Sequence, residues 1–177
     1  HRKEALECGL VDRCVDSLDD LIQSVEQVVL AIPVDAVEEV LPVVLDLINS
    51  TQTVIDFGST KSMIADRVKQ HPKRNQYIAA HPIAGTEYSG PQAAFSALYS
   101  DKIMIICDDS LTEKERLSHW ITQCEKIGMK VVFQTAKAHD LHLAYVSHLS
   151  HVTSFSLSNA VLKKEKEENQ ILNLAGS

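Results

Sequence analysis

The sequence lacks several features that would each indicate a particular class of protein. It has no apolar run of the roughly 18 to 20 residues that a membrane span needs, and no signal peptide opens it. It also has no cluster of lysine and arginine, and its formal net charge is -7. An acidic balance argues against binding to nucleic acid or to anionic membranes. We therefore expect a cytoplasmic protein with no nucleic acid and no membrane among its partners.

The cysteines lack the C-x-x-C spacing that many metal and redox sites use. The four are Cys8, Cys14, Cys107 and Cys124. Cys107 ends an apolar run of strand length, and Cys124 falls on the apolar face of a predicted helix. We interpret the four as reduced core thiols of a cytosolic protein, in preference to disulfides or a metal site.

What the sequence does contain is an alternation of strand-like and helix-like segments. Apolar residues make up 45% of the 177 residues and charged ones 23%, as in ordinary globular proteins. Short apolar runs predict buried strands at 27–32, 53–57, 76–80, 102–107 and 130–134. Strands that alternate with helices predict an α/β fold with a mostly parallel sheet.

Helix starts are predicted where a capping residue is followed three positions later by an acidic one. Such pairs are Ser17 with Asp20, Asp35 with Glu38, and Thr112 with Glu115. A short helix is also predicted over 93–99.

Residues 136 to about 174 contain no proline and predict one long helix. This change of pattern predicts two domains, over 1–135 and 136–177.

Four histidines lie on the long helix: His139, His142, His148 and His151. Each pair is three residues apart and therefore shares one helix face. The paired-histidine signature of zinc proteases has a four-residue step and does not occur, so we predict no metal site. Two interpretations stay open, namely hydrogen bonding to an anionic substrate, or helix capping and inter-domain hydrogen bonds.

One predicted strand ends at His81, and a loop rich in glycine and polar residues follows it. Ligands of open parallel sheets bind beyond the carboxyl ends of the strands, so His81 would face that crevice. Pro82 biases His81 toward an extended conformation, while Gly85 and Gly90 let the backbone come close to a ligand. The residues alone leave open whether His81 is a site residue or only hydrogen-bonds a neighbouring carbonyl.

A second turn, after the strand at 53–57, carries Gly58, Ser59 and Lys61. Its backbone N–H groups and the Ser59 hydroxyl would lie at the same crevice. The alternative is that Ser59 only caps the following helix. Lys61, taken by itself, is predicted to face solvent.

Four segments occur in one order, at 29–34, 56–61, 81–90 and 139–151. Together they resemble the prephenate dehydrogenase family of tyrosine biosynthesis. The resemblance implies a Rossmann-like, mostly parallel sheet that binds NAD or NADP, followed by the start of an all-α dimerisation and substrate domain. It also implies a homodimer formed through that helical domain.

The family's reaction is an oxidative decarboxylation of prephenate to 4-hydroxyphenylpyruvate, with hydride transfer from C4 to NAD(P)+. The resemblance implies that His81 accepts the proton of the ring hydroxyl, with Ser59 hydrogen-bonded nearby. An imidazole suits this step, because its unperturbed pKa of about 6.5 leaves it neutral at pH 7.

The resemblance also implies the residues that contact substrate and cofactor. Substrate contacts are Thr86, Glu87, His148 and His151. Cofactor contacts are Ala31, Ile32, Pro33, Val34 and Ser59. Ser150 stands where the family usually has a proline, which makes the local helix geometry less predictable.

Two parts of the family's pattern do not occur in these 177 residues. One is the G-x-G-x-x-G turn that cradles the pyrophosphate, and the other is an arginine beyond Gly176 for a substrate carboxylate. We expect roughly 30 further residues before His1, about one βαβ unit, and poor activity of this piece alone. Arogenate dehydrogenase and a non-catalytic sensor or interaction module remain alternatives.

Overall fold

A five-stranded sheet forms the centre of the first part of the chain. The structure, a computed structural model, describes residues 1–86, 88 and 90–168, apart from the side chains of 147, 148, 150, 151 and 165–168. The chain divides into two compact units, His1–His139 and the residues from Asp140 onward. The predicted domain boundary between residues 135 and 136 stays a prediction.

The sheet has the strand order β1-β2-β3-β4-β5. Its strands are β1 (Gln27–Leu30), β2 (Thr53–Asp56), β3 (Tyr77–Ile83), β4 (Ile103–Cys107) and β5 (Lys130–Gln134). All neighbours pair in parallel except β3 and β4, which are antiparallel. This arrangement confirms the predicted α/β fold with a mostly parallel sheet.

The antiparallel pair explains why the helix predicted over 93–99 is wrong. A parallel connection needs a crossover, usually a helix, whereas antiparallel strands do not. Between β3 and β4 the described residues form a 3₁₀ turn over Pro91–Ala93, followed by irregular turns. The chain therefore returns to the sheet without a helix on this connection.

Seven α-helices lie in the described part of the chain. They are α1 (Arg2–Glu7), α2 (Leu18–Gln23), α3 (Val34–Leu47), α4 (Ser62–Val68), α5 (Lys114–Lys126), α6 (Ala136–Leu143) and α7 (Leu149–Glu168). A π-helical segment, Ala144–His148, joins α6 to α7. Residues 136–168 are thus helical, and the end of the predicted long helix lies outside the described residues.

One of the three predicted capping pairs is confirmed. The Ser17 hydroxyl accepts a hydrogen bond from the backbone N–H of Asp20 at 3.1 Å and caps α2. The pair that begins at Asp35 is wrong, because α3 already starts at Val34 and has Pro33 at its N-cap position. The fixed φ of proline favours this earlier start.

The capping pair that begins at Thr112 is also wrong. Glu113 occupies the N-cap position of α5, without a side-chain cap. The Thr112 hydroxyl instead donates to the backbone carbonyl of Tyr77 at 2.7 Å. A tertiary hydrogen bond in the interior has replaced the local one.

The sheet is covered on both faces. One face packs under α2, α3 and α4 with residues such as Val54 and Tyr77, and the other packs under α5 with their neighbours Ile55 and Ile78. This alternation follows from the period of two along a strand. Cys107 and Cys124 are buried as predicted, whereas the prediction of core positions is wrong for Cys8, which is exposed, and for Cys14, which is half-buried; none of the four is in a disulfide bond.

Within the described residues, no helix combines the length and the apolar character that crossing a bilayer requires.

Candidate functional site

The three parallel strands end in one row. Leu30 of β1 pairs with Asp56 of β2, and Asp56 pairs with Ala79 of β3. The segments that follow this row, 31–33, 57–60 and 80–82, therefore meet at one edge of the sheet. This is the edge at which open parallel sheets bind ligands.

Ser59 and His81 both lie just beyond this row. The Ser59 residue is exposed and His81 is half-buried. Ser59 does not cap the following helix, because the N-cap position of α4 is held by Lys61. The interpretation of Ser59 as only an N-cap is thus wrong, and its hydroxyl stands at the edge that carries His81.

The half-buried His81 contacts a second histidine. Its Nδ1 lies 2.9 Å from Nε2 of His139, and the two rings meet edge to face with centroids 5.1 Å apart. His139 lies on α6 and is completely buried. A neutral imidazole has one donor and one acceptor nitrogen, so this contact couples the tautomers of the two rings: one facing nitrogen donates and the other accepts.

Lys61 is buried, which corrects the prediction that it faces solvent. Its side chain has 0% exposure and forms an ion pair with the equally buried carboxylate of Asp56. The Lys61 ammonium also donates to the backbone carbonyl of Ala80 at 2.8 Å. Burying an ammonium group requires such partners, because its transfer out of water is otherwise very costly.

The Asp56 carboxylate is held from two further sides. The backbone N–H of Gly58 donates to Oδ1 at 2.8 Å, and the Tyr77 hydroxyl donates to Oδ2 at 2.5 Å. Burial, with the neighbouring Asp56 charge as a second cause, raises the pKa of Tyr77 well above its ordinary value. Tyr77 is therefore a neutral donor at any physiological pH, and Asp56 is the acceptor.

Gly58 is required by close packing around this carboxylate. A Cβ atom at this position would lie 2.9 Å from Asp56 Oδ1 and 2.9 Å from Ile64 Cδ1. Both distances are too short for any side chain. Glycine therefore lets the turn fold tightly over the Asp56–Lys61 ion pair.

The predicted cofactor residues lie at the carboxyl end of β1. Ala31, Ile32 and Pro33 are exposed, and Val34 is half-buried at the first position of α3. They share the edge of the sheet with the turn that carries Ser59. The sequence prediction and the strand register thus bring these residues to one place.

The predicted substrate residues are placed only in part. Thr86 is exposed, and its hydroxyl contacts the backbone N–H of Tyr88 at 3.3 Å. Glu87 lies outside the described residues. His148 ends the π-helical segment and His151 lies on α7, but their side chains are not among those described.

The sequence did not predict two contacts near this edge of the sheet, namely that of His81 with His139 and the ion pair of Lys61 with Asp56. His139 was recognised only as one of four helix histidines, and nothing local marks it, since its partner lies 58 residues away. For Lys61, a signal did exist. Lys61 follows Asp56 by five residues, across a turn between a buried strand and a helix. This spacing can bring a carboxylate and an ammonium group together.

The fold and the edge of the sheet define a Rossmann-like domain of the nucleotide-binding class. The family model described as "Prephenate dehydrogenase, nucleotide-binding domain" matches residues 1–133. The model described as "Prephenate dehydrogenase, dimerization domain" matches residues 135–177. This chain belongs to the prephenate dehydrogenase family, as its motifs predicted.

Individual relatives carry related but different names. Cyclohexadienyl dehydrogenase of Zymomonas mobilis is 29% identical over 166 residues, which cover 94% of this chain and 57% of the relative. The structure of Aquifex aeolicus prephenate dehydrogenase with hydroxyphenyl propionate and NAD+ has a TM-score of 0.81 at 28% identity and covers 92% of this chain and 57% of that one. That of Synechocystis arogenate dehydrogenase has a TM-score of 0.80 at 28% identity and covers 99% and 63%. The chain thus spans less than two thirds of each of these relatives.

Proposed function

We propose that this chain carries the proton-accepting part of an NAD(P)-dependent prephenate dehydrogenase, which converts prephenate to 4-hydroxyphenylpyruvate and carbon dioxide. The observation that carries the proposal is the position of His81. It lies in β3, two residues past the last pair of the parallel β2–β3 ladder, half-buried, with its Nδ1 2.9 Å from Nε2 of His139. An oriented imidazole at a ligand-binding edge is what a general base requires.

The contact with His139 supports one direction of proton transfer. When Nδ1–H of His81 donates to Nε2 of His139, the lone pair of His81 is on Nε2 and can accept the substrate hydroxyl proton. The protonated ring keeps the same donor on Nδ1, so the contact survives the step. His139 then acts on His81 and not on the substrate.

The residues at the end of β1 fit the nicotinamide side of the cofactor. Ala31, Ile32 and Pro33 are exposed apolar residues at the edge of the sheet, next to the turn that carries Ser59. A nicotinamide cofactor bound there would supply the acceptor for the hydride that leaves C4 of the ring. The chain's own contribution is to hold C4 beside this surface while His81 takes the hydroxyl proton. No residue is assigned to the pyrophosphate.

We assign the substrate contacts to Thr86, Glu87, His148 and His151 on the strength of the family motifs. The exposed Thr86 hydroxyl, three residues after β3, is consistent with this role. Ser59, beyond the end of β2, would hydrogen-bond close to the reacting hydroxyl. These side chains would orient an anionic substrate so that its ring hydroxyl reaches His81.

A dimer formed through the helical domain is part of the proposal. Within the second unit, Tyr145, Val146, Leu149, Val152 and Phe155 are each more than half exposed. Exposed apolar side chains in such number on one helical stretch are typical of a protein–protein interface. They support the dimerisation role that the matched family model describes.

The proposal is tested by measuring the rate at which the full-length natural protein that contains these residues forms NADH or NADPH when prephenate is added. Prephenate should be oxidised, and His81→Asn should lower kcat by about a hundredfold or more, since general-base catalysis supplies factors of that order. The matched control is His119→Asn, an exposed histidine on α5 that contacts Gln123, and it should retain native activity. Unchanged turnover in His81→Asn would remove this residue from the mechanism.

A second candidate, arogenate dehydrogenase, is favoured by one observation. The Synechocystis arogenate dehydrogenase structure resembles this chain as closely as the Aquifex structure does, at 28% identity in each case. The ratio of kcat/KM for prephenate and arogenate decides between them. No cofactor reduction with either substrate would favour the non-catalytic sensor or interaction module. The 177-residue piece alone is expected to turn over slowly.

A further inference from the structure

The strand that carries His81 loses its neighbour on one side just before that residue. The β2–β3 ladder ends at the Asp56–Ala79 pair, while the β3–β4 ladder continues through Ala80, His81 and Pro82. A strand segment paired on one side only is held less firmly than one paired on both. Something must fix this end of β3 if His81 is to act in one position.

Lys61 supplies a contact at that point. Its ammonium donates to the carbonyl of Ala80, the residue directly before His81, at 2.8 Å. Ala80 is the first residue of β3 past the end of the β2 ladder. β2 pairs with β3 as far as Ala79, and the Lys61 side chain adds one hydrogen bond to the next residue of β3.

Lys61 is itself rigidly held. It is completely buried, pairs with Asp56, and occupies the N-cap position of α4. Asp56 in turn accepts hydrogen bonds from the Gly58 backbone and the Tyr77 hydroxyl. The ammonium therefore has one available position, and so does the carbonyl to which it donates.

The same ion pair closes the turn that carries Ser59. Asp56 stands at the start of that turn and Lys61 at its end, and the Gly58 backbone bonds to the same carboxylate. A single buried ion pair thus joins the turn bearing Ser59 to the strand end bearing His81.

We propose that Lys61 is a positioning residue, which holds the backbone at Ala80 so that His81 and Ser59 keep a fixed relative position at the edge of the sheet. The proposal rests on the proposed function, because a fixed position matters only if these residues act on a substrate. Lys61 is assigned no contact with substrate or cofactor. Its effect should therefore fall on kcat and on the pH profile, and not on KM.

A purely structural ion pair would behave differently. Replacing both members of a buried pair by uncharged groups is often neutral for stability. If the pair serves stability alone, a folded variant without charges should be as active as the native protein. If Lys61 positions His81, the decisive contact is its hydrogen bond to Ala80, and an uncharged donor should replace it in part.

The experiment compares two double variants of the full-length protein. Asp56→Asn with Lys61→Met keeps an acceptor for Tyr77 but removes the donor to Ala80. Asp56→Asn with Lys61→Gln keeps an uncharged donor. Circular dichroism checks that each is folded, and kcat, KM and the pH profile are measured with prephenate. Lys73→Met is the control, since this lysine also donates to two backbone carbonyls, at Asp46 and Ile48, where α3 ends.

We expect the Met double variant to lose about tenfold or more in kcat with KM unchanged, and its pH profile to shift. The Gln double variant should recover most of that loss, and Lys73→Met should behave as native. Equal activity of the two folded double variants would overturn the proposal. If the Met variant does not fold, Asp56→Asn with Lys61→Leu takes its place as the variant without a donor, and kcat in that variant equal to kcat in the Gln variant overturns the proposal.

Failure of the proposed function would be seen separately. In that case His81→Asn leaves activity unchanged, or neither substrate is oxidised by the native protein. The positioning role then fails with it. If His81→Asn abolishes activity but the two double variants match the native protein, only the role of Lys61 fails.

Discussion

Nδ1 of His81 lies 2.9 Å from Nε2 of His139, although 58 residues separate them in the chain. One ring is half-buried at the edge of the sheet, and the other is completely buried behind it. This arrangement orients the outer ring and couples the tautomers of the two rings, because one of the two facing nitrogens donates when the other accepts.

The first prediction concerns His139. Its replacement by phenylalanine should lower kcat by about tenfold or more, since the ring keeps its shape but cannot orient His81. KM for prephenate should change little, because the proposed role of His139 is to orient His81 and includes no contact with the substrate. The measurement is the initial rate of cofactor reduction by the full-length protein as a function of pH.

The control for that prediction is His142→Phe. His142 lies three residues further along the same helix and is exposed. The His142→Phe substitution should leave kcat and the pH profile unchanged. Equal losses in the two variants would contradict a specific role for His139.

A second prediction concerns the stability contributed by the Asp56–Lys61 pair. Lys61→Met alone leaves a buried carboxylate without its cation and should lower the free energy of unfolding by about 3 to 5 kcal/mol. Asp56→Asn together with Lys61→Met should lower it by much less, because no unpaired charge remains. Urea denaturation of the native protein, the two single variants and the double variant measures these free energies of unfolding. A single variant as stable as the double one would argue against this electrostatic account.

A third prediction concerns Gly58. A methyl group there would lie 2.9 Å from both Asp56 Oδ1 and Ile64 Cδ1. Gly58→Ala should therefore lower the free energy of unfolding by about 1 to 3 kcal/mol, as overpacking does. Gly85→Ala is the matched control, since a Cβ at that position has no atom within 4 Å. The close approach at Gly58 is refuted if both variants have native urea midpoints.

A fourth prediction concerns alkaline pH. Burial raises the pKa of the Cys124 thiol from 9.0 to about 11. Between these values the unfolded chain has lost the thiol proton while the folded chain keeps it, so the free energy of unfolding should fall as the pH rises. The raised pKa of Tyr77 acts in the same direction above its ordinary value of 10.0.

The contribution of Cys124 is isolated by substitution. Cys124→Ala should make the pH dependence of stability between about pH 9 and 11 less steep, whereas Cys8→Ala, at an exposed position, should not. Urea midpoints at several pH values give the slopes. Parallel slopes for all three proteins would show that the thiol does not titrate in this way.

Much of the sheet could be predicted from the sequence. The apolar runs predicted as strands at 27–32, 53–57 and 102–107 are short and nearly continuous, which is typical of strands covered on both faces, and they contain β1, β2 and β4. Ser17 could be recognised as a cap because its hydrogen-bond partner is only three residues away. Local patterns report local structure well.

The direction of β4 and the start of α5 were not accessible in the same way. The segment 84–102 gives no sign of whether the chain returns parallel or antiparallel to β3. Thr112 has a sound capping pattern, yet its hydroxyl bonds to the carbonyl of Tyr77, 35 residues away. A distant partner in the interior outweighs a local one that competes with water.

The sequence by itself determined the family, the α/β alternation and the position of Ser59 just after a buried strand, whereas the strand predicted to end before His81 continues through it to Ile83. These are properties of short segments, and their order along the chain is enough to reveal them. Only the tertiary structure decided that Lys61 is buried against Asp56 and Ala80, and that His139 lies behind His81. The physical reason is that a buried ammonium or imidazole is stable only beside partners from other strands and helices, which no local pattern records.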